Sequence, residues 1–97
     1  MLLMNHHLED IKNRIRPILK KHSINKAGIF GSAAHGKVLP NDIDILVKID
    51  RKISLLEFIA IQQEIEDELG VKIDLVEYSA LKPALRNDIL EEEVPVL

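Results

Sequence analysis

Asp42 and Asp44 stand two residues apart at the end of the run GSAAHGKVLPNDID, residues 31–44. On an extended chain, alternate residues project to one face about 6.6 to 6.8 Å apart, which leaves Ile43 and Ile45 for the opposite face. Two carboxylates held so near each other in an apolar setting repel, and a divalent cation relieves the repulsion. Hard oxygen ligands favour Mg²⁺, which takes one or two carboxylates together with phosphate oxygens and water. Asp74 sits between Ile73 and Leu75, the same polar-between-apolar setting as Asp44. If the two strands are neighbours, three acids converge, the donor set of a two-metal phosphoryl-transfer site with ions ~3.5 to 4 Å apart. Glu77 is the fallback third acid, at a more exposed strand end.

The Gly-Ser pair supplies the complementary half. Gly31 lets the backbone approach a phosphate with no Cβ in the way, and Ser32 opens a short helical segment whose free N–H groups and hydroxyl can hold an anion. A plain helix cap at Ser32 uses the same geometry. Gly36 turns the chain back toward the aspartates, and His35 is read either as a phosphate contact or as an exposed loop histidine. His6 and His7 read as a frayed terminus. Glu91, Glu92 and Glu93 oppose a helix dipole and read as a solvated end, and the closing VPVL docks on the domain or on a partner.

These residues need strands and helices to position them. Leu8, Ile11, Ile15, Ile18 and Leu19 recur at helical spacing and predict a helix from about 6 to 22 that Pro17 kinks or divides. Strands are expected at 26–31, 43–49 and 71–77, with a short helix between the first two. Ser54 and Glu57 form a capping box with Ile53 as a staple, and Gly70 ends that helix. Leu55, Leu56, Phe58, Ile59, Ile65 and Leu69 are its expected buried stripe. Leu81, Leu85 and Ile89 mark a last helix opening near Pro83. The order αβαβαβα implies an α/β, two-layer α+β fold: a three-stranded mixed sheet flanked by helices, with sites gathered at strand ends.

Composition narrows the function. Ninety-seven residues make one domain, 1–97, with 46% hydrophobic and 30% charged residues and only three aromatics, so aliphatic side chains fill the core. A net charge of −3 argues against holding long nucleic acid without help. With no cysteine there is no thiol chemistry or zinc–thiolate site, and no stretch reads as a signal peptide or membrane span, so a cytoplasmic protein is expected.

Gly31-Ser32, Gly36, Asp42-Ile43-Asp44 and Asp74 together resemble the minimal nucleotidyltransferases of the DNA polymerase β superfamily: Gly-Ser, a loop with Arg-Gly, Asp-x-Asp, then a later third acid. The resemblance runs over nearly the whole chain. It implies Mg²⁺-dependent transfer of AMP from ATP to a hydroxyl, with Asp42 and Asp44 as metal ligands, Asp74 as ligand and base, and Gly31, Ser32, His35 and Gly36 around the nucleotide. It further implies a HEPN-type toxin as protein partner, a tyrosine of which is adenylylated by this chain acting as a type VII-like antitoxin, in a homo- or hetero-oligomer. His35 replaces the usual Arg, Asn41 the usual Ser or Thr, and the loop is one residue short. An imidazole offers a triphosphate less positive charge than a guanidinium. Two alternatives therefore stay open: an antitoxin that neutralises by occlusion, and an enzyme nucleotidylating a small molecule or RNA end.

Overall fold

The computed structural model describes residues 4–30 and 42–97. Gly31, Ser32, His35, Gly36 and Asn41, and the short helix expected between the first two strands, lie outside the described residues. The first helix, α1, spans Met4–Lys21 and takes in His6 and His7, which were expected to fray. It runs through Pro17 without being divided, because its apolar face is anchored on both sides of the proline: Ile15 and Leu19 are fully buried.

Three longer strands follow, β1 (Lys26–Phe30), β2 (Asp42–Lys48) and β3 (Lys72–Glu77). β1 pairs antiparallel with β2, and β2 pairs parallel with β3. A parallel pair needs a crossover, and α2 (Leu55–Leu69) provides it. A single 3₁₀ turn over Tyr78–Ala80 leads to α3 (Pro83–Glu92). The sheet has four strands rather than three: β4 (Val94–Pro95) adds to the free edge of β1, giving the order β3-β2-β1-β4. The closing VPVL thus docks on its own domain. Val96 N–H donates to the Ala27 carbonyl at 2.9 Å, and Arg16 Nε donates to the Val96 carbonyl at 2.9 Å.

Period-two alternation sorts the sheet into two faces. Ala27 and Ile29 of β1, Ile43, Ile45 and Val47 of β2, and Ile73 and Leu75 of β3 join Ile11, Ile15, Ile18 and Leu19 of α1 and Ile61 and Ile65 of α2 in one core. Each fully buried isoleucine contributes about 1.5–3 kcal/mol. The two helices are also tied by polar contacts: Glu64 of α2 accepts from Lys21 and bonds His22 Nε2 at 3.0 Å.

α2 is capped as its sequence predicts at both ends. Ser54 Oγ accepts from Glu57 N–H at 3.0 Å, and Gly70, at φ 72°, donates its N–H to the Glu66 carbonyl at 2.7 Å. The expected buried stripe is corrected, however. Leu55, Leu56 and Ile59 are 73%, 79% and 44% exposed, and the core face is made by Ile61 and Ile65 with Phe58 and Leu69 beside them. Positions 58, 61, 65 and 69 keep the three-four spacing of one helix face, whereas 55, 56 and 59 fall on the flank that α1 does not reach. α3 likewise buries no residue, and Leu85 is 53% exposed. Among the described residues no helix is long and apolar enough to cross a membrane.

On the second face, a polar contact ties the end of α3 to the turn after β3. The Glu93 carboxylate accepts from the Tyr78 hydroxyl and lies over Gly28, where a Cβ would collide with it. Burial first, and then this bond, push the Tyr78 phenol above its ordinary pKa of 10.0.

Candidate active site

Asp44 and Asp74 are partners in the parallel register of β2 and β3. Ile43, Ile45, Ile73 and Leu75 flank them and are buried against α1 and α2. Alternation therefore puts both side chains on the second face, on backbones one strand spacing, about 4.8 Å, apart. Asp44 is half-buried and also stands opposite Phe30 of β1, while Asp74 is exposed on an edge strand. Asp42 opens β2 opposite Lys72.

The edge is fixed locally. Glu66, in the last turns of α2, accepts from the Ile73 N–H at 3.1 Å, which satisfies a donor of the outer strand immediately before Asp74. Beside it a cleft of about 250 Å³ is lined by Gln62, Glu66, Lys72, Ile73 and Asp74. A small polar ligand at Asp74 thus has space next to the carboxylate.

Glu77, the fallback third acid, falls elsewhere. It pairs in register with Val47, three residues beyond Asp74 and on the opposite alternation, at the far end of the strand. Lys72 is the residue the sequence reading passed over. It lies two positions before Asp74, so it shares that face, and it stands opposite Asp42 in the ladder. Its signal was in the sequence: the period-two rule applied to KID gives a lysine beside every face on which Asp74 sits.

Like charges directly across a strand pair are destabilising by about 0.2–1 kcal/mol. A divalent cation reverses that sign, and two neighbouring hard-oxygen donors suit Mg²⁺, which fills its remaining positions with water and phosphate oxygens. Among the described residues no three His, Asp or Glu side chains form a metal cage. The pair Asp44 and Asp74, on the face opposite the core, is the arrangement that fits such an ion.

The family model for polymerase beta nucleotidyltransferases matches residues 13–97. A Methanocaldococcus jannaschii protein provisionally named a protein adenylyltransferase is 41% identical over 91 residues, covering 93% of this chain and 98% of its own length. The protein adenylyltransferase MntA of Thermococcus cleftensis is 33% identical over 94 residues, covering 92% and 95%. The solved structure of a provisionally named minimal nucleotidyltransferase superposes with a TM-score of 0.80 at 28% identity over 93% of each chain. A structure of the tri-AMPylated Shewanella oneidensis HEPN toxin in complex with its MNT antitoxin gives a TM-score of 0.73 at 18% identity, covering 93% of this chain and 71% of that one, a likeness of fold.

Proposed function

The chain belongs to the polymerase beta nucleotidyltransferase family, and from that premise we propose that it transfers AMP from ATP to a tyrosine hydroxyl of a HEPN-type toxin, as the antitoxin of that pair. The observation that carries the reading is the register of Asp44 against Asp74 on the sheet face opposite the core. Two relatives named as protein adenylyltransferases, spanning nearly the same length, support the reaction class. The shared fold with the antitoxin of an AMPylated HEPN toxin supports the partner.

In this reading Asp42, Asp44 and Asp74 would hold Mg²⁺, which would supply Lewis-acid stabilisation of the charge that develops on the phosphate oxygens. Asp74 is the base. Its exposure on the edge strand lets an acceptor from another chain reach it, and its carboxylate takes the proton of the attacking hydroxyl. The acceptor oxygen forms the new bond to the α-phosphorus as the bond from that phosphorus to the bridging oxygen breaks, and pyrophosphate leaves. Gly31, Ser32, His35 and Gly36 receive the triphosphate through backbone N–H groups, the Ser32 hydroxyl and the imidazole. Lys72, on the same face of β3 as Asp74 and opposite Asp42 in the ladder, would offset the negative charge of the acids.

The test is transfer of labelled AMP to a HEPN-type partner by the parent and by Asp44→Asn. The expected result is transfer by the parent and a loss of at least about 100-fold in the variant, the scale on which charge-stabilising groups act. Equal transfer by both would remove the acid pair from the reaction. Neutralisation of the partner by an Asp44→Asn variant as effective as that by the parent would replace transfer with occlusion.

A further inference from the structure

A second cleft, of about 300 Å³, opens at the other end of the same strands. Lys26 of β1, Lys48 of β2 and Arg86 of α3 converge on it from three separate elements. On β2 it begins at Val47, three residues and about 10 Å along the strand from Asp44. Between them on that face lies Leu46, which is fully buried, so the two clefts are separate.

The three cations are differently held. Among the described residues the Arg86 side chain makes no hydrogen bond and no ion pair, and the residue is exposed. Lys48 meets Asp50 only at 3.9 Å, with both side chains more than half exposed at 60% and 65%, a pair of little strength. The Lys26 ammonium stands 5.0 Å from the centroid of the Tyr78 ring, and that ring is itself fixed through its bond to Glu93. Lys26 is thus held in place, while Lys48 and Arg86 are exposed side chains that can turn toward an anion. The chain as a whole carries −3, so a convergence of three cations is a local reversal of sign. Asp50 and Glu77 also line the cleft and leave it a balance of one positive charge, which suits a monoester better than a polyphosphate.

We propose that this cleft binds a phosphate monoester, independently of the acid pair and of AMP transfer. The Arg86 guanidinium presents a planar fork to two phosphate oxygens, Lys26 and Lys48 act as point charges, and Ser79, which also lines the cleft, adds a neutral donor. The volume lies at the small end of the range for small-molecule sites, enough for the phosphate and a compact body against Leu90.

The probe is inorganic phosphate titrated into the full chain in EDTA and chloride buffer, followed by amide chemical shifts, beside Arg86→Ala, Lys48→Ala, Arg86→Lys and Lys20→Ala. Saturable binding is expected, with shifts centred on residues 26, 48, 79 and 86. Arg86→Ala and Lys48→Ala should each weaken it by about tenfold, Arg86→Lys should restore part, and Lys20→Ala, an exposed charge on α1, should leave it unchanged. Thermal melts identify any variant that fails to fold. Absence of saturable binding, or an equal loss in Lys20→Ala, overturns the proposal. AMP binding more tightly than phosphate identifies a nucleotide as the source of the phosphate; equal affinity identifies the free anion.

Discussion

Asp74 faces two opposing demands at one position. It stands directly across the parallel ladder from Asp44, so two acids share one face, an arrangement that favours a bound cation and sets like charges opposite each other. Asp74→Asn is therefore expected to raise stability by about 0.2–1 kcal/mol in chemical denaturation while abolishing transfer. Lower stability in that variant would show that the carboxylate is held by the fold rather than tolerated by it. At Gly28 the demand is steric. A methyl group there displaces the Glu93 carboxylate, the far end of a flexible side chain, and with it the bond from Tyr78, so Gly28→Ala should cost about 0.5–1.5 kcal/mol, the net worth of that bond. In a double-mutant cycle with Tyr78→Phe the two losses should overlap rather than add, because both remove the same contact. Full additivity would separate Gly28 from that bond.

Among the elements, α2 carries most of the positioning, since it provides the crossover that lets β2 and β3 lie side by side in parallel. Its ends were legible because caps are local chemistry: Ser54, Glu57 and Gly70 act within one turn of themselves. Ser54→Ala should cost about 1 kcal/mol in thermal or urea unfolding. The reciprocal half of the capping box did not follow, because the Glu57 carboxylate bonds Arg51 Nη2 at 2.6 Å instead. The buried face of the helix was misread for a different reason. Leu55, Leu56 and Ile59 are as apolar as Ile61 and Ile65, and only the position of α1, a tertiary fact, decides which of them are covered. β4 escaped notice because two residues, one of them Pro95, carry no period of their own. The adjacency of Asp44 and Asp74 was written in the sequence as a condition on strand order, and the parallel β2–β3 pairing supplies that order.

For the molecule as a whole, stability is expected to depend on acid through a few surface carboxylates rather than through the core, where no polar or charged residue is buried among those described. The bond from His22 and then that from Lys21 hold Glu64 below the ordinary carboxylate value of 4.5, and the bond from Arg51 does the same for Glu57. A depressed folded-state value means that the stabilisation is fully present above pH 4.5 and is lost as pH falls through the lower, folded value. Urea unfolding should therefore give a flat profile at neutral pH and a decline below pH 4.5, and Glu64→Gln should make that decline shallower. An unchanged acid limb would remove Glu64 from the linkage. The parallel ladder has a further consequence, for how such a chain tolerates insertions and deletions. The spacing of Asp44 and Asp74 is set by backbone pairing, so residues added to the segment between Lys48 and Leu55 lengthen a connection without moving either carboxylate. One residue deleted from β3 ahead of Asp74 instead exchanges its two faces, turning Asp74 inward and Ile73 or Leu75 outward. Length variation among homologous chains should accordingly concentrate in the connections and be excluded from these two strands.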